Sequence, residues 1–510
     1  MVTPVYDTEP RVLEECITSV LAQTFHNWEL CLVDDCSTQG ATRQVLAKAE
    51  ALDRRIRVTH RSVNGGIVAA SNDALTMANG RYVALLDHDD VLEPHALAEV
   101  ASRLEDDPTI DYLYTDEDIL SANGRMVDAF RKPTWSPERF RSQMYVCHLS
   151  VIKRELLERI GGFRPGFDGS QDYDLMLRVT ETAKNIANVP KVLYHWRVGE
   201  ASVAANPDAK PYAYAAGLRA ITEHCERVGI DADVTIAPQL PGNYVVTRRA
   251  SSKKPQFTIV MVDDQSETSI WGVPRKHTEE TISSINDKGV GSHDIRVINK
   301  HQGSLLEHYE EALDSCDSEF LLVMSNKIEI ETDGWDEVLT GFMRDSDVGA
   351  VTPSLWTSES TILHSGYVLR PRNIESAGTQ LPRSNNGFRA IFRTDREVSA
   401  LGTRFTLFST TALRQAGGFT SDFREPFASA DVSLRVRHLG YRLIATHQVN
   451  AYCFDREGYL GPERLRMDAA FAARWSDDVA HDPYAGLPPA SETRADRRPK
   501  WRPQRLRDYT

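Results

Sequence analysis

The sequence lacks a long hydrophobic run. No stretch of its 510 residues approaches the roughly 20 consecutive apolar residues that a membrane-crossing helix needs, and its first residues show no signal-peptide pattern. Cysteine is scarce as well: the seven cysteines are scattered, without the paired spacing of a zinc site. These absences favour a protein that works in a reducing, cytoplasmic setting.

An excess of positive charge is also missing. The chain has 73 acidic residues against 59 Lys and Arg, and this net charge of −14 argues against nonspecific nucleic-acid binding. The exception is residues 494–507, which hold seven Arg or Lys. Two interpretations of the basic tail, residues 481–510, stay open: a solvated, largely irregular end, or a peripheral contact with the anionic inner face of a membrane.

The chain is long enough for two hydrophobic cores. It has an ordinary globular composition, with 41% hydrophobic and 26% charged residues, and 510 residues exceed the size of one core. A basic, Ser-rich stretch at residues 248–256 is typical of a linker. We therefore predict a first domain at residues 1–247 and a second at residues 257–480.

Helices and strands alternate in the first domain. An amphipathic pattern predicts a helix at residues 9–22, and apolar runs predict strands at 30–33, 56–59 and 82–86. Turn residues follow each strand. This order is typical of a parallel, doubly wound α/β sheet, in which ligands bind beyond the carboxyl ends of the strands.

Polar clusters follow these predicted strands. They are Asp34-Asp35, Asn64-Gly65-Gly66 and Asp87-His88-Asp89-Asp90. Unpaired carboxylates at a buried strand end are costly, and a divalent cation carrying a diphosphate would explain them. A solvated acidic turn is the alternative, but the convergence of several polar strand ends on one sheet edge favours a ligand site.

The second half repeats the first in the same order. Three pairs of segments match: 82–86 with 320–324, Gly161-Gly162-Phe163 with Gly417-Gly418-Phe419, and Asp172–Arg178 with Asp431–Arg437. Such a series predicts a duplicated domain.

The two copies differ at the acidic strand end. Ser325-Asn326-Lys327 stands where the first copy has Asp87-His88-Asp89, while Asp431 would correspond to Asp172. A lysine cannot coordinate Mg²⁺ or Mn²⁺, which prefer oxygen ligands, so we predict that the second copy is degenerate and non-catalytic. Two interpretations of Lys327 stay open: it neutralises a phosphate directly, or the copy is kept for packing or acceptor binding.

The first half resembles the family 2 glycosyltransferases, nucleotide-sugar-dependent enzymes with the GT-A fold. The motifs that carry the resemblance are Pro4-Val5-Tyr6, Val33–Thr38, Asn64-Gly65-Gly66, Leu85–Asp90, Gly161-Gly162-Phe163, Gly169–Leu175 and Tyr194–Arg197. Residues 256–480 are similar to a more divergent member. The whole arrangement resembles the tandem-domain transferases that build bacterial surface polysaccharides such as O-antigen. It implies two tandem GT-A-like, Rossmann-like α/β domains.

The resemblance implies a site for a nucleotide-sugar donor, a UDP- or dTDP-sugar. Its residues would be Pro4, Tyr6 and Glu9 around the nucleoside, Asp35 at the base, Asn64 and Gly66 beside the donor, Asp87 near the ribose or sugar, and His88.

The resemblance also implies a metal ligand and a catalytic base. Asp89 corresponds to the metal-binding aspartate of the Asp-X-Asp motif, and the ion would be Mn²⁺ or Mg²⁺. His195 is a second candidate ligand or, alternatively, a packed and hydrogen-bonded histidine. Asp172 corresponds to the base, although a helix N-cap is an alternative for it. One base opposite one leaving group would invert the anomeric centre.

The candidate acceptor contacts rest only on where these residues stand in the sequence. Asp116 and Glu117 follow another apolar run and would hold acceptor hydroxyls or form an exposed acidic loop. Trp135 and Trp196 are further candidates that would stack on a sugar or simply pack, and the role of His148 stays open.

These residues predict an inverting, metal-dependent glycosyltransferase that acts on a glycan, lipid-linked glycan or protein acceptor. A bifunctional polymerase with two active domains is one alternative, and Lys327 argues against it. A non-catalytic glycan-binding or scaffold protein is the other, and Asp87, Asp89 and Asp172 argue against it.

Overall fold

A computed structural model describes residues 1–198, 211–299, 303–455, 465–486, 501 and 505–509. Each half of this part of the chain is built on one large β-sheet. Among the described helices, none combines the length and the hydrophobicity that crossing a bilayer requires.

The first half contains the strands and helices that the sequence predicts. In chain order its elements are β1 (Val2–Val5), α1 (Pro10–Leu21), β2 (Leu30–Asp34), α2 (Gly40–Leu52), β3 (Ile56–His60), α3 (Gly66–Met77), β4 (Tyr82–Leu85), β5 (Val91–Leu92), α4 (Ala96–Asp106), β6 (Tyr112–Leu120), β7 (Met126–Phe130), α5 (Pro137–Ser142), β8 (Ser150–Lys153), α6 (Arg154–Ile160), α7 (Gln171–Thr182), β9 (Ile186–Arg197), α8 (Pro211–Arg227), β10 (Ala232–Ile236) and β11 (Tyr244–Arg248). The predicted helix and the three predicted strands are confirmed to within one residue at each end.

The first sheet is mixed rather than parallel. Its strand order is β3-β2-β1-β4-β8-β6-β9-β5. β1 runs parallel to β2 and β4, but β8 runs antiparallel to both of its neighbours, β4 and β6. The prediction of a parallel sheet is therefore wrong at β8, β7 and β5, whereas β6 and β9 pair in parallel. A short turn, not a helix, joins β6 to β7, and such a connection requires antiparallel strands.

Both faces of the first sheet are covered by apolar residues. In β2, Cys31 and Val33 pack into one hydrophobic cluster, whereas Leu30 and Leu32 pack into the other. A strand that is buried on both faces reads as a continuous apolar run, which explains the pattern in the sequence. The run ends at Asp34, where the polar edge begins.

The second half repeats this construction. Its elements are β12 (Thr258–Asp263), β13 (Glu267–Ile270), β14 (Val273–Lys276), α9 (His277–Lys288), β15 (Asp294–Asn299), α10 (Leu305–Asp314), β16 (Phe320–Met324), β17 (Ile328–Ile330), α11 (Trp335–Met343), β18 (Val348–Trp356), β19 (Ile362–His364), β20 (Tyr367–Arg370), β21 (Asn373–Ser376), β22 (Arg396–Glu397), β23 (Phe405–Ser409), α12 (Thr410–Gln415), α13 (Phe427–His438), β24 (Arg442–Cys453), β25 (Leu465–Arg466), α14 (Ala469–Arg474) and α15 (Ser476–Ala480).

The order of the second sheet matches that of the first. It runs β15-β12-β16-β23-β18-β24-β17, the counterpart of β2-β1-β4-β8-β6-β9-β5. The antiparallel β16–β23 pair and the parallel β18–β24 pair reproduce the directions of β4–β8 and β6–β9. In the described part of the sheet β3 has no counterpart. The predicted fold class, two tandem GT-A-like domains, is confirmed.

Strand registers identify equivalent residues in the two copies. Lys153 is the last residue of β8 before α6, and Ser409 is the last residue of β23 before α12. Lys153 pairs with Tyr82 and Ser409 pairs with Phe320, so Tyr82 and Phe320 are equivalent. This register places Ser325-Asn326-Lys327 at the positions of Asp87-His88-Asp89, as the sequence predicts.

A buried ion pair fixes the position of α7. Asp174 lies 2.8 Å from Arg178, and Arg178 donates a hydrogen bond of 3.0 Å to the carbonyl of Ile160, the residue before the Gly161-Gly162 turn.

The same ion pair in α13 corrects the predicted alignment. Asp431 lies 2.8 Å from Arg435, and Arg435 donates to the carbonyl of Ala416, the residue before the second Gly-Gly turn. Asp431 is therefore the counterpart of Asp174. Its predicted equivalence with Asp172 is wrong by two residues, and Ser429 stands at that position.

The described part of the tail packs on the domains. The Asp482 carboxylate accepts a hydrogen bond of 2.6 Å from the backbone N–H of Leu369. Leu506 is buried in the cluster that contains α1, and the Tyr509 hydroxyl donates to the Thr18 carbonyl at 3.3 Å. For these residues the interpretation as a solvated end is wrong. The other basic residues, at 487–500 and 502–504, lie outside the described part.

Candidate active site

Hydrogen bonds join the polar segments that follow the first four strands. Thr8 Oγ1 and His88 Nδ1 lie 3.0 Å apart, linking the ends of β1 and β4. The Asp35 carboxylate accepts hydrogen bonds from the backbone N–H groups of Gly65 and Gly66, at 2.9 and 2.8 Å. The predicted convergence of polar strand ends is confirmed.

Asp35 has more partners than its predicted role requires. Its carboxylate also contacts Arg61 at 3.0 Å, and its carbonyl accepts a hydrogen bond from Asn64 at 3.1 Å. Gly66 has φ +80°, a conformation that suits glycine and lets the turn present its N–H groups to this carboxylate. Asp35 thus organises the turn, and its contact with a base stays a prediction.

The other predicted nucleoside contacts lie at the end of β1. Pro4 is part of β1, and 47% of Tyr6 is exposed. Glu9 is the N-cap of α1: its carboxylate accepts hydrogen bonds from the N–H groups of Arg11 and Val12, both at 3.1 Å. This capping function was not predicted, and the contacts of these residues with a donor stay predictions.

A small pocket of about 50 Å³ lies beyond the carboxyl ends of β1 and β4. Its polar lining includes Asp87 after β4, His148 before β8 and Asp172 from α7, and Pro4 contributes to the apolar wall. The pocket therefore brings the predicted base together with a predicted donor contact.

Asp172 is not the N-cap of α7. Ser170 occupies that position, and Asp172 lies in the first turn, where its Oδ1 accepts the N–H of Tyr173 at 2.8 Å. Burial raises the pKa of Asp172, and the charge of His148 opposes the rise. A carboxyl group with a raised pKa is a stronger base, as general-base catalysis requires.

His148 is the pocket residue whose role the sequence left open. Its Nε2 lies 3.6 Å from Asp87 and its Nδ1 3.7 Å from Glu117, and its ring stacks on Tyr194 with centroids 4.7 Å apart. Burial lowers the pKa of His148, but Glu117 and Asp87 outweigh this effect and raise it to about 9. A cation therefore lies among these carboxylates at neutral pH. No local pattern in the sequence places His148 in this pocket, because its position depends on the pairing of β8 with β4.

Asp116 and Glu117 lie inside β6 and are buried, so the exposed-loop interpretation is wrong. Glu117 accepts hydrogen bonds from Lys132 Nζ at 3.1 Å and from the N–H of His148. Burial raises the pKa of Glu117, but Lys132 lowers it to about 2 overall; burial raises the pKa of Asp116 to about 6. Glu117 is thus engaged with protein groups, and acceptor contacts at both residues stay predictions.

Both candidate tryptophans are partly buried by packing. The Trp135 ring lies 5.2 Å from that of Phe140, and Trp196 packs against the cluster that contains α1. Their stacking on a sugar stays a prediction.

His195 is buried on β9 with both ring nitrogens facing carboxylates. Nδ1 lies 2.6 Å from Asp118 and Nε2 lies 3.1 Å from Glu93. Burial lowers the pKa of His195, but these two neighbours raise it overall. The arrangement fits the packed, hydrogen-bonded interpretation better than coordination of a metal at Asp89.

Well-anchored neighbours position the Asp89 turn. Asp90 is buried and accepts hydrogen bonds from the Tyr194 hydroxyl at 2.5 Å and from the N–H of Arg197 at 2.6 Å. The Arg197 side chain donates to the carbonyl of Asp89 at 2.7 Å and also binds Glu15 at 2.8 Å. The backbone of the turn that carries Asp89 is therefore held in place.

The Asp89 side chain is 46% exposed and lies 3.9 Å from His88 Nδ1. Among the described residues, no group of three or more His, Cys, Asp or Glu side chains could hold a metal ion. The donor set does not fit a closed, all-protein metal centre. It fits a hard cation that takes one carboxylate from the protein and its other ligands from a diphosphate and water.

Residues 1–161 match the sequence profile described as "Glycosyl transferase family 2". The O-antigen biosynthesis protein RfbC of Myxococcus xanthus is 30% identical over an alignment of 517 positions, which covers 95% of this chain and 39% of RfbC. WfgD of Escherichia coli, a UDP-Glc:α-D-GlcNAc-diphosphoundecaprenol β-1,3-glucosyltransferase, is 30% identical over 212 residues, which cover 40% of this chain and 79% of WfgD.

Among solved structures, S. aureus TarS in complex with UDP-GlcNAc matches with a TM-score of 0.36 and 22% identity, over 44% of this chain and 65% of the TarS chain. The chain spans 52% and 39% of the lengths of two curated relatives that match most of its own length.

Proposed function

The chain belongs to glycosyl transferase family 2, and on this premise we propose that its first domain, residues 1–247, transfers a sugar from a nucleotide-diphosphate sugar to a hydroxyl group. The proposed donor is a UDP- or dTDP-sugar, and the proposed acceptor is a glycan, lipid-linked glycan or protein in surface-polysaccharide synthesis. The observation that carries the proposal is the pocket shared by Asp87 and Asp172. The identity with WfgD over most of that protein supports it.

Asp172 is the proposed general base. It would accept the proton of the acceptor hydroxyl while that oxygen attacks the anomeric carbon opposite the departing diphosphate, and such a displacement inverts the anomeric centre. Its raised pKa suits proton acceptance. The cationic His148 counteracts the rise and so helps to keep Asp172 ionised near neutral pH.

Asp89 would hold Mn²⁺ or Mg²⁺ together with the donor diphosphate. The ion, when bound, would neutralise the charge that develops on the leaving group. Arg197 and Asp90 would contribute by fixing the backbone of the turn that carries Asp89.

No transfer is assigned to the second domain, residues 257–480. Lys327 occupies the position of Asp89 and Ser429 that of Asp172, so this copy lacks both a metal ligand and a base at those positions. A bifunctional polymerase would need both groups in both domains.

The test is a panel of UDP-, dTDP- and GDP-sugars with Mn²⁺, comparing wild type with Asp89→Ala and Asp172→Asn. Each substitution should lower transfer at least about 100-fold, because each removes a group that acts on the reacting bonds. Asp172→Asn should retain donor affinity, since the amide keeps the size of the carboxyl group. Ser429→Ala, at the equivalent position of the second domain, is the matched control and should transfer normally.

Each assignment has an outcome that rejects it. Normal transfer by Asp172→Asn would exclude the base, and product that survives Asp89→Ala would place a second active site in residues 257–480. If wild type neither transfers nor hydrolyses any of these donors with Mn²⁺, a glycan-binding or scaffold protein becomes the better interpretation.

A further inference from the structure

A larger pocket occupies the equivalent position in the second domain. It has a volume of about 350 Å³ and lies beyond the ends of β12 and β16. This volume is within the usual range for small-molecule sites, about 300–1,000 Å³. Ser325 and Lys327, the counterparts of Asp87 and Asp89, are part of its lining.

The chemistry of this pocket differs from that of the first. Arg404 lines it and, by the register of β23, stands at the position of His148. With Lys327 for Asp89, Ser325 for Asp87 and Ser429 for Asp172, the second site has lost the acids of the first at these three positions. Its carboxylates, Asp264, Glu425 and Asp455, lie elsewhere in the lining, and a lysine stands where the first site has its proposed metal ligand.

The two cations already have anionic neighbours. Lys327 Nζ lies 2.7 Å from the Asp264 carboxylate, and Arg404 Nε lies 3.7 Å from that of Asp455. A diphosphate would have to displace these carboxylates, at a cost in desolvated charge. A neutral ligand would leave both pairs intact.

Polar groups in the lining are nevertheless unsatisfied. His308 on α10 is 8% exposed, and neither of its ring nitrogens has a hydrogen-bond partner within the described chain, although Nδ1 lies 3.8 Å from Glu311. Arg404 Nε also has no hydrogen-bond partner there. Buried groups left in this state cost free energy, and a ligand that both donates and accepts hydrogen bonds would recover it.

We propose that this pocket binds a neutral saccharide without a metal ion. Hydroxyl groups donate and accept, so they satisfy His308 and Arg404 while the Lys327–Asp264 pair persists. Tyr309 and Tyr367 also belong to the lining, and because they are 1% and 6% exposed they form part of its packed wall. The site is independent of the transfer reaction proposed for the first domain.

The test uses the full chain in EDTA and saturation-transfer NMR with glucose, galactose, rhamnose, N-acetylglucosamine and their disaccharides. His308→Phe keeps an aromatic ring at this position and removes both nitrogens. It should weaken binding at least about tenfold and raise the melting temperature, because the buried unsatisfied groups are gone. A purely structural role for His308 would not raise stability while lowering affinity. His26→Phe, at an exposed histidine that lines neither pocket, is the matched control and should bind as wild type does.

Arg404→Met serves as a second variant and should also weaken binding. The proposal is overturned if wild type binds none of these sugars, or if both pocket variants bind them unchanged. It is likewise overturned if UDP competes with the sugars and loses affinity in Lys327→Ala, since that result would assign the pocket to a nucleotide.

Discussion

His148 supplies a positive charge among the carboxylates of the first-domain pocket. Glu117 and Asp87 raise its pKa to about 9, above the ordinary value of about 6.5. The folded state thus binds this proton more tightly than the unfolded chain does. The resulting stabilisation is complete below about pH 6.5 and is lost as the pH rises through about 9.

His148→Gln should therefore lower the free energy of unfolding by about 2–3 kcal/mol at pH 6 and by much less at pH 10. Urea unfolding at the two pH values measures the difference. Transfer by wild type should also decline as the pH passes about 9, and this decline should be absent from the residual activity of the variant. The exposed His26→Gln is the control. Equal losses of stability at both pH values would contradict the assigned charge.

Some site residues could be predicted from the sequence because their neighbours along the chain identify them. Asp87 and Asp89 directly follow a buried strand, and Asp172 opens a helix after a glycine. His148 could not be predicted in this way. It reaches the pocket only because β8 is inserted antiparallel beside β4, and no local pattern encodes that pairing.

At the scale of single elements, the strands of the two copies can be aligned from the sequence, but helix α13 cannot. Strands buried on both faces, such as β4 and β16, are recognisable as apolar runs and align correctly. Helix α13 is not aligned correctly from the sequence, because it carries arginines at both 435 and 437. Only the contact of Arg435 with the Ala416 carbonyl shows that Arg435 matches Arg178. The antiparallel insertion of β8 was missed for a similar reason, since it depends on residues distant in the sequence.

Asp431→Asn tests the corrected alignment. The Asp431 carboxylate is buried and also accepts hydrogen bonds from Arg474 at 3.1 Å and Trp475 at 3.0 Å. Removing its charge should destabilise the second domain by about 3–5 kcal/mol and leave transfer per folded molecule unchanged. Thermal unfolding and a transfer assay measure the two effects. Asp172→Asn should instead lower transfer and leave the stability unchanged. A loss of transfer by Asp431→Asn without a loss of stability would restore the original alignment.

The Gly161-Gly162 turn offers a second test at this scale. Both residues have positive φ, +78° and +67°. A Cβ on Gly161 would meet nothing within 4 Å, whereas one on Gly162 would lie 2.6 Å from the side-chain oxygen of Asn72. That side chain also makes two hydrogen bonds of 2.9 Å to the backbone of Phe163.

Gly161→Ala should cost only the strain of a left-handed alanine, about 1–2 kcal/mol. Gly162→Ala should cost at least about 1 kcal/mol more, because Asn72 must give up its hydrogen bonds. Urea denaturation of the two variants provides the comparison. Equal costs would mean that Asn72 moves freely and does not hold the turn.

At the scale of the whole molecule, buried charges join the two domains. Arg442 on β24 lies 3.1 Å from Glu138 on α5 and 2.8 Å from Glu397 on β22. Arg248 lies 2.9 Å from Glu138 and 2.8 Å from Asp345. Arg248 was predicted to begin the linker, but it is the last residue of β11 and its side chain is part of this interface. The sequence could not reveal this, because a basic residue before a Ser-rich stretch is ordinarily solvated.

The two glutamates depend on the arginines between them. Both are buried, and burial raises the pKa of Glu397 against the opposing charge of Arg442. Two buried carboxylates that share one arginine remain ionised only while that cation lies between them. The same cations contact residues of both domains, so unfolding of one domain should expose the buried charges of the other.

Arg442→Met should break this coupling. Methionine fills part of the space but leaves Glu138 and Glu397 without their shared cation, at a cost of about 3–5 kcal/mol. Calorimetry should show one cooperative transition for wild type and two for the variant, since each domain then unfolds independently. Arg249→Met removes only surface ion pairs, to Asp231 and Asp233, and should cost less than about 1 kcal/mol. Adding Glu397→Gln to Arg442→Met should recover part of the stability, because an amide no longer needs a cation. A single, unshifted transition in Arg442→Met would mean that apolar contacts, rather than these charges, hold the domains together.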